Sequence, residues 1–301
     1  MAQAITTDST STQRTHRYLR LAIGGTVVVI FAAVLAAVPA VGWLASISDY
    51  FYSPARNAFV GALLAASVAL LALSGRGAER TILDAAALFA PLIALVPTVV
   101  GLDSPTHPGL ACAPCVPPEF EDDVVNGVTT YLVILAGVIG LGYVLSRAGQ
   151  VRRARFSLVL GTIVFALILI LAIALPELLL EWGHFVATIL FFGLIAADAV
   201  LNAFWRTSSQ APPTWLRIVY IGIAVVLVLD LVLLIFTTVV LWDAETKVFP
   251  WILVGEAVAL LAFLAFWWLQ TWQRWNEGDP ASLVPMSGRL PALRPQASLD
   301  R

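Results

Sequence analysis

Three acidic residues lie inside long apolar stretches of the sequence, where a charge is costly. They are Asp198, Asp230 and Glu256. A charged side chain at the centre of a bilayer costs about 3 kcal/mol or more, so each must be protonated, hydrogen-bonded or matched by a cation. Asn202 lies one helical turn from Asp198 and is an obvious hydrogen-bond partner. The set indicates either a proton or cation path or three carboxyls that join helices by hydrogen bonds.

A second group of ionisable residues lies in the run PELLLEWGH. Glu177, Glu181 and His184 are spaced i, i+4, i+7 and share one face of a helix. A Glu-x-x-His pair can give a carboxylate oxygen and an imidazole nitrogen to one metal ion, and His107 could complete the site. The pattern therefore predicts either a divalent metal at these four residues or charges that only mark a helix start. No other cofactor is expected.

Both cysteines lie in the run Cys112-Ala-Pro-Cys115, within a segment at 102–126 that has no Lys or Arg. In an oxidising compartment a C-x-x-C pair is expected to be a disulfide. The Ala-Pro centre is similar to thioredoxin-like redox sites, but the motif has no βαβ unit around it. We expect a structural disulfide that closes this loop, with thiol exchange as the alternative.

The composition shows which solvent surrounds these residues. Of 301 residues, 60% are hydrophobic and 12% are charged, and the mean hydropathy is +0.90. A soluble domain carries about 25% charged residues, so these values exclude an ordinary soluble enzyme. The net charge of -2 and the lack of a basic tract argue against nucleic acid as a partner. The main partner is therefore the lipid bilayer.

The elements that must position the candidate residues are membrane-spanning helices. About 20 apolar residues are needed to cross the hydrocarbon core as a helix. Eight stretches are long enough: Leu21–Leu44, Ala58–Leu73, Thr81–Gly101, Gly127–Ser146, Phe156–Leu175, Trp182–Trp205, Leu216–Trp242 and Pro250–Gln270. The sequence predicts an all-α polytopic bundle over 21–272, with an extracytoplasmic loop at 102–126 and disordered tails at 1–20 and 273–301.

Lys and Arg beside helix ends are retained in the cytoplasm, so their distribution predicts the orientation. With eight spans and both termini cytoplasmic, only Arg56 and Lys247 of the 17 basic residues fall outside. The strength of this bias favours an even number of spans.

Arg56 therefore lies on the disfavoured side of the membrane. A partner such as Asp49 would explain it, and so would an anionic lipid headgroup or substrate.

The stretch SISDYFYSPARNAFVG, followed by ALVPT at 94–98, resembles a group of uncharacterised bacterial multi-pass membrane proteins. This resemblance covers about a sixth of the chain and brings no known activity. It implies a bacterial plasma-membrane protein and points to Tyr50, Tyr52, Arg56 and Asn57 as residues that matter. With Asp49, the two tyrosines and Arg56 are candidates for an outer-face ligand site.

Three functions remain open after this reading. The first is a proton- or cation-coupled transporter of a small molecule or lipid, which would use Asp198, Asp230 and Glu256. The second is a membrane enzyme acting on a lipid or lipid-linked substrate at the outer leaflet, which would use Glu177, Glu181, His184 and Arg56. The third is an accessory or structural protein without catalysis. Transport is the function we favour at this stage, and the sequence does not predict an oligomeric state.

Overall fold

A computed structural model describes residues 11–74, 78–101, 104–148, 155–204, 212–240 and 251–275. Within these ranges the chain forms eight α-helices and one short 3-10 helix, η1. Their bounds are α1 Ser11–Val41, η1 Ser48–Tyr52, α2 Arg56–Leu73, α3 Ala78–Leu95, α4 Pro118–Arg147, α5 Arg155–Ala174, α6 Pro176–Phe204, α7 Thr214–Val240 and α8 Trp251–Gln273. The predicted all-α architecture is confirmed.

Six of the helices form a closed ring. Helix α1 packs on α2, α2 on α3, α3 on α6, α6 on α7, α7 on α8, and α8 returns to α1. Helices α4 and α5 pack on each other outside this ring, against α3 and, through α5, against α6. We call the end of the ring with η1 and residues 96–117 the loop end, and the end where α1 begins and α8 finishes the termini end.

The outward faces of the helices are apolar. Large exposed hydrophobic side chains recur along α4, α5 and α7, for example Ile134, Ile163, Ile173 and Leu229. Such a surface is unfavourable in water and suits hydrocarbon. Seven of the described helices are long and apolar enough to cross a membrane. The chain is therefore a multi-pass helical membrane protein.

Helix α3 is the exception to the length and composition test, so seven of the eight predicted spans are supported. It has 18 residues and carries Glu79, Arg80 and Asp84. Each acidic group has a partner inside the protein: Glu79 pairs with Arg274 at 2.8 Å, and Asp84 accepts from Ser157 Oγ at 2.5 Å. More than half of α3 is buried between its neighbours, which explains why it tolerates charges that the lipid-facing helices lack.

Several predicted boundaries differ from the structure. Helix α1 begins at Ser11, so 11–20 is helical rather than part of a disordered tail. Helix α4 begins at Pro118, which places Glu119, Glu121 and Asp123 in its first turns instead of in the loop. Residues 1–10 and 276–301, which make up most of the two predicted tails, lie outside the described ranges, as does Lys247.

Candidate functional site

A buried polar cluster at the loop end joins η1 to two helices of the ring. Ser48 of η1 lies between His184 of α6 and Glu256 of α8. The Ser48 Oγ atom is 2.8 Å from Glu256 Oε1 and 2.9 Å from His184 Nε2. The other nitrogen, His184 Nδ1, is 2.8 Å from the carbonyl oxygen of Val96. Ser48 and His184 are both buried.

Local sequence explains how His184 reaches this position. Gly183 precedes it, and a Cβ on Gly183 would lie 3.1 Å from Val96 Cγ1. Since that is tighter than an ordinary contact, the glycine lets α6 approach the chain where it leaves α3. The close approach brings the His184 ring within hydrogen-bond distance of the Val96 carbonyl.

The hydrogen-bond partners of His184 show that its Nδ1 atom carries a hydrogen and leave two arrangements for Nε2. A carbonyl oxygen only accepts, so His184 Nδ1 must donate to Val96. The Ser48 hydroxyl has one hydrogen to share between its two neighbours. In one arrangement a protonated Glu256 donates to Ser48, which donates to a neutral His184. In the other, an imidazolium donates to Ser48, which donates to an ionised Glu256. The two arrangements have the same net charge and differ by one proton shifted through the hydroxyl.

The second oxygen of Glu256 is held by the backbone of η1. It accepts from the amide of Ile47, and the amide of Ser48 lies 3.4 Å away. The amide of Leu253 also donates to the carbonyl of Ala45 at 3.0 Å, which ties the start of α8 to the segment before η1. Glu256 therefore acts as a cap for η1 supplied by a distant helix.

Asp49 lies next to this cluster and has a different set of partners. Its Oδ2 atom accepts from the amide of Ser46 at 3.1 Å, and its own amide donates to Ser46 Oγ at 3.1 Å. Burial raises the pKa of Asp49 from 3.8 to about 7, the carboxylate of Glu256 adds to the rise, and the Ser46 amide opposes it. Asp49 is thus a carboxyl that titrates near neutral pH.

Tyr50 and Tyr52 hold η1 in place through main-chain contacts. The Tyr50 hydroxyl donates to the carbonyl of Gly42 at 3.0 Å, where α1 ends with that glycine at a φ of 74°. The Tyr52 hydroxyl donates to the carbonyl of Thr98 at 2.7 Å. Burial raises the pKa of both phenols, so both stay protonated. Through these contacts the two tyrosines anchor η1 to the ends of α1 and α3 at the loop end.

A second buried cluster lies at the termini end of the same ring. Arg274, which directly follows α8, donates to Glu79 Oε1 at 2.8 Å and to Asn202 Oδ1 at 2.5 Å. Gln270 Nε2 lies 3.2 Å from Glu79 Oε1 and 3.3 Å from Asn202 Oδ1. Asn202 Nδ2 donates to the carbonyl oxygen of Asp198 at 2.8 Å and lies 3.3 Å from Asp198 Oδ1. The sequence identified the Asp198 and Asn202 contact but not the residues from α3 and α8.

Asp198 is fully buried, and its Oδ2 atom has no hydrogen-bond partner among the described residues. Between this cluster and the one at the loop end lie buried aromatic side chains from α6 and α8. The rings of Phe191 and Phe263 are 5.6 Å apart, and Phe263 lies 6.2 Å from the ring of Trp267. His184 and Asn202 are 18 residues apart on α6, about 27 Å along the helix. The two polar clusters are therefore separated by an apolar barrier.

Asp230 belongs to neither cluster. It is half-buried on α7, and a Cβ at Gly255 of α8 would lie 2.9 Å from its Oδ1. The three carboxyls that the sequence grouped, Asp198, Asp230 and Glu256, thus have different neighbours in the structure. Among the described residues, no hydrogen bond or ion pair links one of these carboxyls to another.

The predicted metal residues do not come together in the described part of the chain. Glu177 and Glu181 are exposed, whereas His184 is buried with both nitrogens facing protein atoms. His107 Nε2 lies 3.2 Å from Glu119. Among the described residues no three His, Cys, Asp or Glu side chains are placed to hold an ion. The metal site stays a prediction without geometric support.

The sequence suggested Asp49 as the partner of Arg56. In the structure Arg56 pairs instead with Asp123 of α4. The Arg56 Nη2 atom is 2.8 Å from Asp123 Oδ2, and the guanidinium lies 4.5 Å from the ring centre of Phe51 and 5.2 Å from that of Phe120. Asp49 is directed to Ser46 instead, so it is unavailable to Arg56. Arg56 also lines an open cleft of about 340 Å³.

The disulfide between Cys112 and Cys115 is present, with the two Cα atoms 5.7 Å apart. Next to it, the amide of Val100 donates to the carbonyl of Cys115 at 2.8 Å, which closes the base of the loop. The ring of His107 packs edge-on against Tyr52 at 5.4 Å. The loop is thus tied to η1 and α4, in agreement with a structural role for the disulfide.

No protein family, curated protein or solved structure matches the chain. The function has to be argued from the geometry of these sites.

Proposed function

We propose that the six-helix ring moves protons across the membrane as the driving step of a proton-coupled transporter. The observation that carries this proposal is the hydrogen-bond chain from Glu256 through Ser48 to His184. When Glu256 gives its proton to the Ser48 oxygen, Ser48 gives its own hydrogen to His184 Nε2. One carboxylate and one imidazolium are formed, and no atom has to move by more than a hydrogen-bond length.

The position of the second cluster supports the same proposal. Asp198 and Gln270 lie on α6 and α8, the helices that carry His184 and Glu256. Helices α6 and α8 flank α7 in the ring and both pack directly on it, and Phe191 of α6 contacts Phe263 of α8. We propose that the aromatic side chains between α6 and α8 move apart while both helices stay packed on α7. Transfer across the barrier requires this opening, because the aromatic side chains offer no proton acceptor.

We propose further that α3 crosses the membrane beside the seven apolar helices, which gives eight spans. Residues near its two ends contact both clusters: Glu79 pairs with Arg274 at the termini end, and the Val96 carbonyl, which directly follows α3, pairs with His184 at the loop end. Helix α3 thus runs alongside the part of α6 between His184 and Asn202. With eight spans the arginine bias places both termini in the cytoplasm of a bacterial cell and the loop end outside the plasma membrane.

The topology can be tested by cysteine labelling in a chain whose two native cysteines are replaced by serine. Ser74→Cys, just after α2, and Ser104→Cys, in the loop after α3, lie on opposite sides of α3. A membrane-impermeant maleimide added to intact spheroplasts should label the residue at 104 and not the residue at 74. Labelling of both from the outside would contradict an eight-span topology.

Proton movement can be tested with the purified full chain in liposomes that contain a trapped pH-sensitive dye. A potassium gradient with valinomycin sets a negative potential inside and drives protons inward. Glu256→Gln is the informative variant, because a glutamine donates to Ser48 as the protonated carboxyl does but cannot release a proton. We expect Glu256→Gln and Ser48→Ala to reduce the flux to the protein-free level.

Two variants serve as controls for this experiment. Ser48→Thr keeps the hydroxyl and should retain flux, and Glu177→Gln removes an exposed carboxylate at the same end and should leave flux unchanged. Equal flux in the unmodified chain and in Glu256→Gln, with both correctly folded, would refute the proposal.

A further inference from the structure

A cleft opens on the side of the ring near the loop end. Helices α2 and α4 flank α3, and residues from all three line a space of about 340 Å³. Its mouth is polar and its floor is apolar. The lining residues are Phe51, Arg56, Asn57, Val60, Gly61, Ala94, Leu95 and Asp123.

The mouth of the cleft carries one positive and one negative charge side by side. Arg56 and Asp123 are 2.8 Å apart, and their side chains are 32% and 51% exposed. A pair this exposed adds little to stability, so a ligand can replace the contact at small cost. The contacts of the guanidinium with the rings of Phe51 and Phe120 hold Arg56 in position when Asp123 turns to another partner.

The start of α2 adds a second feature that favours an anion beside Arg56. The helix begins at Arg56, whose own amide donates to the carbonyl of Ser53 at 3.1 Å, and the N-cap residue Ala55 offers no side chain to the next amides, those of Asn57 and Ala58. The free amide groups of a first helical turn carry partial positive charge and bind phosphate groups well. Arg56 and the amides of α2 thus form one positive side of the mouth, and Asp123 forms the negative side.

The floor and the surface below the cleft suit hydrocarbon. Val60, Gly61 and Leu95 continue from the charged mouth towards the middle of the bundle. Further along α2, Leu64 and Val68 are exposed apolar side chains. A ligand with a doubly charged head and an apolar tail would match the cleft over its whole length.

We propose that this cleft binds a phospholipid whose headgroup carries both a phosphate and a primary ammonium, as in phosphatidylethanolamine. The phosphate contacts Arg56 and the first turn of α2, the ammonium contacts Asp123, and an acyl chain lies over Gly61. An anionic lipid without an amine would leave Asp123 facing negative charge, so phosphatidylglycerol binds more weakly. The proposal does not depend on proton movement through the ring.

The test is native mass spectrometry on the delipidated full chain in detergent. Phosphatidylethanolamine and phosphatidylglycerol with identical acyl chains are added separately, and bound fractions give the two dissociation constants. We expect a preference of about tenfold for phosphatidylethanolamine, the factor that corresponds to one charge-assisted contact. Asp123→Asn should remove this preference by weakening phosphatidylethanolamine and not phosphatidylglycerol. Arg56→Gln should weaken both lipids.

Matched controls separate the cleft from general effects of charge and size. Asp122→Asn makes the same charge change on the exposed neighbour of Asp123 and should keep the preference. Gly61→Leu should block both lipids, since no described atom lies within 4 Å of a Cβ at that glycine and the side chain would fill the cleft. Gly137→Leu, at an equally open glycine of α4, should have no effect.

Equal affinity for the two lipids, or loss of the preference in Asp122→Asn, would overturn the proposal. Free phosphoethanolamine provides the last arm. Binding of this soluble headgroup as tightly as the lipid would show a site for a small zwitterion and would also overturn the lipid assignment.

Discussion

Asp49 gives the sharpest quantitative prediction, because its pKa is raised to about 7 by burial first and by the Glu256 carboxylate second. In the unfolded chain the carboxyl returns to its ordinary value of 3.8. Between these values the folded protein holds a proton that the unfolded chain has lost. The free energy of unfolding therefore falls as the pH rises through this window, and the contribution of Asp49 is fully present only below about pH 4.

The size of the effect follows from the shift. One pKa unit corresponds to about 1.4 kcal/mol, so the full titration is worth about 4 kcal/mol. Asp49 keeps part of its surface in solvent, which screens the shift, and only part of the titration falls between pH 5 and pH 8. We expect a loss of about 2 kcal/mol over that range. This corresponds to a fall in melting temperature of roughly 4 °C.

The measurement is thermal unfolding in detergent, followed by tryptophan fluorescence at pH 5, 6, 7 and 8. Asp49→Asn should flatten the pH dependence, and the exposed control Asp122→Asn should not. Glu256→Gln removes the second cause of the shift, so it should move the remaining pH dependence to lower pH. A curve for Asp49→Asn as steep as that of the unmodified chain would refute the reasoning.

Three further predictions concern stability. Arg274→Met leaves the buried Glu79 carboxylate without its 2.8 Å partner and should cost about 3 kcal/mol or more, and adding Glu79→Gln should restore part of the loss in the same melting assay. Replacing Cys112 and Cys115 together by serine should cost only about 2 kcal/mol, because the disulfide closes a very short loop. Tyr131→Phe removes a hydroxyl that donates to a carbonyl of α3 at 3.0 Å and should cost about 1 kcal/mol in chemical unfolding; an unchanged midpoint would contradict this.

The sequence predicted the helices well and their ends less well. Apolar stretches of about 20 residues located every helix, because lipid selects strongly for length and composition. The sequence underestimated the lengths of α1 and α4. Their first turns extend beyond the apolar stretch and include Arg14, Arg17 and Asp123. Hydropathy detects the part of a helix that contacts lipid, while helix ends depend on local caps and on contacts with other segments.

The candidate site was predicted in part. Asp198 and Asn202 were recognised as partners because they lie one turn apart on a single helix. The contact between Glu256 and His184 through Ser48 joins residues more than 70 positions apart. Nothing in spacing along the chain indicates such a contact, which depends on how the six helices close into a ring. Asp123 was missed as the partner of Arg56 because the two residues are 67 positions apart, and spacing does not indicate that the start of α4 lies beside the start of α2.

The order of helices in the ring has a consequence for how the protein is made. Helix α3 leaves the ribosome before its ring neighbour α6, and the hairpin of α4 and α5 comes between them. The guanidinium that neutralises Glu79 is supplied 195 residues later, by Arg274 at the end of α8. Until then α3 is a short helix with three charges and little reason to remain in lipid. With α3 as the proposed eighth span, we expect its stable insertion to be a late event in biogenesis, and a chain truncated before α8 should expose α3 to quality-control proteases.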